Sequence, residues 1–307
     1  MSSQTFVRAV GRPVPKASQG MDLDLGPVVH SAILRSTLHR YRREADLTQE
    51  FVARHLEWSP SKVIRIEGGQ SGIRKTDLEA LLKLYGVTEL REVERLLDLA
   101  RSARERGWWH RYQGRLEPTF LSYLGYETGA SFIREFQAAV IPPLLQIDEY
   151  ADIIAGNQID DGTDRALTVE VTRRRRETLA WRQRPPRRLY LLDEMSIRRH
   201  VGIRIDPGVM PRQPAHLAET VETDPSVMIR VVPVSSGAYA GMNGAFALLQ
   251  FQDGLLDEVV YREGIGVLPA ADRRVLGYRE AFEAILEDAL PAEDSLELIT
   301  AVAEEMR

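Results

Sequence analysis

The chain has 307 residues, 44% hydrophobic and 28% charged, a balance that suits globular domains and excludes a disordered or fibrous chain. It has no cysteine, which excludes disulfides, thiolate metal sites and cysteine nucleophiles. The net charge of −5 gives no global sign of a nucleic-acid partner, but residues 26–106 carry 15 Lys/Arg against 12 Asp/Glu while 107–307 carry 22 against 31.

Residues 1–25, with Gly11, Pro13, Pro15 and Gly20, read as a flexible arm. Short helical segments follow. Ser31 is placed to cap a helix running to Ala45, with Ile33, Leu34, Leu38 and Tyr41 at helical spacing. Thr48 caps Gln49 to Leu56, and Ser59 opens Pro60 to Glu67, with proline in a first turn where its missing N–H costs nothing. Gly68 and Gly69 end that helix. A fourth spans Thr76 to Tyr85 and a fifth runs from near Thr88 to about Arg106, with Leu90, Val93, Leu96, Leu97 and Ala100 inward.

The stretch around Trp108 and Trp109 reads as a junction between domains 26–106 and 107–307. Leu121 to Pro142 has helical spacing at Ile133, Phe136, Val140 and Ile141, and Leu167 to Arg184 is a very basic helix. Strands are expected at 188–192, 227–234, 246–251 and 258–262, the last two as antiparallel neighbours. The prolines between Gly202 and Val227 predict a helix there that is short or starts late. Helices return over 278–290 and 295–306. The fold class is multidomain: an all-α unit, then an α+β domain with a small, mostly antiparallel sheet.

One constellation carries chemistry. Two short helices joined by a tight turn can set the second into a major groove. Ala53 is small where the helices would cross, and Val63, Ile64 and Ile66 supply apolar positions, leaving Ser59, Ser61, Lys62 and Arg65 for the other face. Thr48-Gln49, Ala53, Ser59 and the run Val63 to Glu67 before two glycines resemble the lambda-repressor-like, or XRE-type, helix-turn-helix class across residues 32–87. The resemblance implies binding to double-stranded DNA. Gln49 would donate to a phosphate, Ser59, Ser61, Lys62 and Arg65 would face base edges or neighbouring phosphates, and Arg74 and Lys75 would clamp phosphates. Arg40, Arg42 and Arg43 read as a solvated face. The chain departs from the class at Glu57, where members often have glycine; a side chain in left-handed backbone there would cost about 1 kcal/mol, so the departure leaves the conformation of the turn open but not the class.

From about residue 108 to 305, blocks such as YETGASFIREFQAAVIPPLLQIDEYADII and VMIRVVPVSSGAYAGMNGAFALLQF resemble a C-terminal domain of unknown function found in actinobacterial regulators, the Scr1-like or WhiJ-like family. The resemblance implies a transcriptional regulator whose second domain binds a small-molecule effector or a small partner protein encoded nearby. The alternative is an antitoxin-like module that sequesters such a partner, with DNA binding secondary.

Enzyme chemistry finds little to stand on. His30, His39, His55, His110, His200 and His216 form no pair at metal-ligand spacing, and Asp193 and Glu194, being adjacent, would face opposite sides of a strand. If it faces inward, Glu194 is expected to pair with an arginine, either Arg198 or one of the group Arg173 to Arg176. No catalytic residue, metal or cofactor is assigned. Without an apolar run of membrane length or a signal peptide, a cytoplasmic protein is expected. A homodimer is expected, since one such reader buries only roughly 600–1,000 Å² on DNA and paired half-sites about 34 Å apart are the usual remedy. The second domain is favoured for that contact; the fifth helix is one candidate surface and the region of Phe132, Phe136 and Val140 another, whose apolar residues serve equally well as domain core.

Overall fold

A computed structural model describes residues 25–158, 162–254 and 256–307. The expected arm therefore lies, but for Leu25, outside the described residues. The rest divides into two compact units, one comprising the chain up to Gly129 together with the short segment 252–256, and one built from Ala130–Phe251 with Asp257–Arg307. The compact division thus follows Gly129, later in the chain than the expected junction at 106/107.

The first unit is all helical. α1 (Gly26–Glu44) opens with Pro27 in its first turn and buries Val29, Ile33, Leu34 and Leu38. Ser31 therefore lies inside this helix, where no cap is needed. α2 (Gln49–His55) is capped as expected, the Thr48 hydroxyl accepting from the Phe51 N–H at 3.1 Å. α3 (Pro60–Glu67) buries Val63 and Ile66, and α4 (Lys75–Leu84) buries Leu78, Leu81 and Leu82. α5 (Leu90–Ser102) is shorter at both ends than its apolar pattern suggests, and Leu90, expected inward, stands exposed. A 3-10 turn at Trp108–Tyr112 buries Trp109 and Tyr112, and α6 (Pro118–Gly129) follows. α6 lies against α1 because of two glycines. A Cβ at Gly125 would stand 2.3 Å from the Val28 side chain, and one at Gly129 would stand 2.0 Å from the Leu25 carbonyl.

The second unit holds one six-stranded sheet in the order β3-β2-β1-β4-β5-β6. Its strands are β1 (Phe132–Gln137), β2 (Arg187–Asp193), β3 (Val227–Val232), β4 (Phe246–Gln250), β5 (Val259–Arg262) and β6 (Gly266–Leu268). β1 pairs in parallel with β2, and β2 with β3, while β1–β4, β4–β5 and β5–β6 are antiparallel. The sheet is mixed, which corrects the mostly antiparallel expectation. The physical reason is the connections: parallel neighbours need long crossovers, and helices supply them. Asp148–Gln158 (α7) and Gly162–Ala180 (α8) bridge β1 to β2, and Glu194–Arg198 (α9) and Val209–Thr223 (α10) bridge β2 to β3.

β1 also corrects the helix expected over 121–142. It is a central strand buried on both faces from Phe132 to Phe136, so it shows no alternation. Its Arg134 and Glu135 are buried, and Phe132 and Phe136 belong to the core rather than to a dimer surface. The helix among the prolines is neither short nor late, since α10 contains Pro214. Arg274–Asp288 (α11) lays Phe282 and Ile285 on the sheet beside Phe136, Leu191, Phe246 and Val260. Ala292–Glu305 (α12) follows, and β3 gains partners on its outer side. The Val231 N–H donates to Ser295 Oγ at 3.1 Å, and the Leu290 N–H donates to the Val231 carbonyl at 2.9 Å.

Candidate nucleic-acid interface

The turn between α2 and α3 is built from backbone bonds that stop one helix and aim the next. The Leu56 N–H donates to the Val52 carbonyl at 3.1 Å and the Trp58 N–H to the Ala53 carbonyl at 2.8 Å. Glu57 sits between them at φ 54°, so the turn keeps the left-handed conformation even without glycine. Ala53 is buried where α2 meets α3.

α3 divides cleanly into two sides. Val63 and Ile66 face the core, so the opposite side centres on Ser61, with Ile64 and Arg65 flanking it within about 100° of arc. All three are exposed. Ser59 is exposed as well, its hydroxyl 3.1 Å from that of Ser61. Arg74 stands exposed at the N-cap position of α4, without a side-chain cap bond. Lys75 follows it, and its ion pair with Glu79 at 3.8 Å is too exposed to hold it in place.

Two expected contact residues are instead engaged within the unit. Gln49 donates its side-chain amide to Glu67 Oε2 at 2.8 Å. Lys62 donates to Asp77 Oδ1 at 2.9 Å, and its ammonium lies 3.6 Å from the centre of the Trp58 ring. Lys62 is thus a strut joining the turn, α3 and α4 rather than a freely projecting cation.

Arg42 was read as solvated and is buried. Its Nε donates to Glu67 Oε1 at 2.7 Å, its Nη2 to Glu67 Oε2 at 3.0 Å, and its Nη1 to the Leu47 carbonyl at 2.7 Å. The hydrogen bond to Glu67 raises the Arg42 pKa above its ordinary value. This forked pair fixes the C-terminal end of α3 to α1. The sequence showed the residue types but not the pairing, because 25 positions separate them. Ile64 was also misplaced: counted among the apolar positions, it is half exposed. The spacing of Val63 and Ile66 was the available signal, since it defines the inward line and leaves Ile64 off it.

In the second unit, Asp193 caps α9 by accepting from the Met195 N–H at 2.8 Å and also accepts from the Tyr239 hydroxyl. Glu194 accepts from Arg198 Nε at 2.6 Å, one of the pairings expected, and from the Val234 N–H at 2.9 Å. Burial works against the Glu194 carboxylate, but these donors outweigh it and its pKa is lowered. The basic stretch of α8 is tied internally: Arg173 and Arg176 both reach Asp148, at 2.8 and 2.5 Å. Among the described residues, no group of three His, Asp or Glu side chains is placed to hold a metal ion, and no helix is long and apolar enough to cross a membrane.

A family profile described as a domain of unknown function (DUF5753) matches residues 120–301, and a helix-turn-helix domain profile matches residues 33–96. No curated protein and no solved structure matches the chain. With a matched region covering more than half its length, the chain belongs to the DUF5753 family, and it carries that domain behind a helix-turn-helix domain that suggests a DNA-binding regulatory role.

Proposed function

We propose that the protein is a sequence-specific DNA-binding transcriptional regulator of the Scr1-like or WhiJ-like kind, acting as a homodimer. Residues 26–106 read the operator, and residues 107–307 bind an effector or a small partner protein and hold the two copies together. The observation that carries this reading is the construction of α3. Its inner line is locked by Val63, Ile66 and the Arg42–Glu67 pair, while Ser61, Ile64 and Arg65 project outward on a short rigid rod. A helix so held presents side chains to a major groove with little ordering cost on binding. Ser59, Arg74 and Lys75 lie at its flanks as backbone contacts.

Mobility shifts of the full chain on its own promoter fragment and on a shuffled fragment, over stepped salt, test the reading. A specific reader favours the promoter by about a thousandfold or more, and its affinity falls linearly with salt on logarithmic axes. Equal affinity for both fragments would refute it. Sedimentation equilibrium tests the assembly: a chain that is monomeric on and off DNA removes the dimer, and binding of a partner without any promoter preference favours the antitoxin-like reading.

A further inference from the structure

Ile64 is an anomaly on the surface it occupies. It is 50% exposed on the outward face of α3, flanking Ser61 on one side as Arg65 does on the other. Nothing in the fold asks for an aliphatic side chain there, since Val63 and Ile66 already supply the inner contacts of this two-turn helix. The nearest expected reader, Lys62, is withdrawn by Asp77 and Trp58. The reading face is therefore one hydroxyl, one guanidinium and one branched aliphatic group.

A major groove offers an aliphatic side chain a single apolar partner, the C5-methyl group of thymine. Apart from the small C5–H edge of cytosine, the groove floor presents hydrogen-bond donors and acceptors, which Ile64 would strip of water and leave unpaired. We infer that Ile64 is a specificity-determining residue that packs on a thymine methyl in each half-site, next to the base contacted by Arg65. This inference rests on the DNA-reader assignment of α2 and α3 made above. It is narrower, because a reader could equally turn Ile64 toward the sugar and leave every methyl untouched.

Ile64 brings a steric demand as well as an attraction. Its β-branched side chain has one strongly preferred rotamer on a helix, so the methyl must be met at one place. A lost methyl at the right position is then not recovered by side-chain movement. Branching thus makes the expected signature sharp, with one thymine per half-site and its neighbours indifferent.

The experiment uses the full chain and a duplex selected by it from a random pool. Each thymine of the selected site is replaced in turn by deoxyuridine, which deletes the methyl group and leaves the hydrogen-bonding edge intact. The wild-type chain is expected to lose about three- to fivefold in affinity at one position per half-site, the value of one buried methyl. Ile64→Ala is expected to bind the all-thymine site more weakly by a similar or larger factor and to be insensitive to uridine at that same position. Ile64→Val is expected to keep the sensitivity. Because Ile64 is half exposed, far-ultraviolet circular dichroism of the variants should match the wild type. A flat uridine scan for the wild-type chain overturns the inference, and so does a scan in which Ile64→Ala keeps the same sensitive position. A chain that selects no duplex at all overturns the DNA-reader assignment itself, and this inference with it.

Discussion

Arg42 and Glu67 form a two-pronged ion pair, Nε to Oε1 at 2.7 Å and Nη2 to Oε2 at 3.0 Å, with both side chains almost wholly withdrawn from water. One partner lies near the end of α1 and the other at the end of α3. A buried pair of this kind contributes little relative to a well-packed apolar pair, but removing one member strands the other. Glu67→Ala should therefore destabilise the helical unit by about 3–5 kcal/mol. Arg42→Met combined with Glu67→Met should recover much of that loss. Urea denaturation followed by circular dichroism distinguishes the two, and an unchanged midpoint for Glu67→Ala would show that the pair is dispensable.

Lys62 and Arg65 should separate cleanly. The combination of Lys62→Ala and Arg65→Ala is expected to abolish specific operator binding while the fold persists. Singly, Arg65→Ala should cost operator affinity about ten- to a hundredfold, as for loss of a base contact, without moving the unfolding midpoint. Lys62→Ala should instead change the fluorescence of Trp58, whose ring it covers, and shift the midpoint. Unchanged operator affinity in the double variant would remove Arg65 from the interface and show that the Lys62 strut is not needed to present α3.

Arg74 and Lys75 are exposed, and both lie after the glycines that end α3. Neutralising both should weaken binding to operator and random duplex alike, and should make the salt slope shallower by about 1–2. A loss confined to the operator would mean that these residues read bases or shape.

The acid limb of stability has a specific source between α1 and α5. Glu92 accepts from Arg95 at 2.7 Å and from the Tyr41 hydroxyl at 2.6 Å. The Arg95 hydrogen bond, helped by Tyr41 and opposed by burial, lowers the Glu92 pKa below its ordinary 4.5. Burial and the Glu92 bond push the Tyr41 phenol up to about 12. A carboxyl group with a lowered folded pKa contributes stability that is complete above the unfolded value and is lost as the pH falls through the folded one. Stability should thus fall as the solution is acidified below pH 4.5, and Glu92→Gln should flatten that dependence. Parallel pH profiles for wild type and variant would contradict this.

What was legible in the chain followed the range of the forces involved. The α2–turn–α3 unit could be read because its signals are local: the Thr48 cap, proline in a first turn, and glycines after Glu67. The left-handed backbone at Glu57 was not legible, because a side chain stands where such turns often have glycine. β1 could not be read, since Arg134 and Glu135 interrupt its apolar run yet lie buried, Arg134 being held by Glu258 and Glu283 from far along the sequence. Placing β1 as a helix hid the parallel half of the sheet. In the candidate site, Ser59, Ser61, Arg65, Arg74 and Lys75 stand where helix geometry puts them. Lys62 and Gln49 do not project freely, because Asp77, Trp58 and Glu67 reach them from other elements.

Both edges of the sheet in the second unit are blunted. On one side, β3 has its Val231 amide and carbonyl already taken by Ser295 and Leu290; on the other, β6 is only three residues long. An incoming strand would find neither a row of open amides nor a length worth pairing with. Joining two such sheets edge to edge is thus hindered at Val231 on one side and leaves few bonds to gain along β6 on the other.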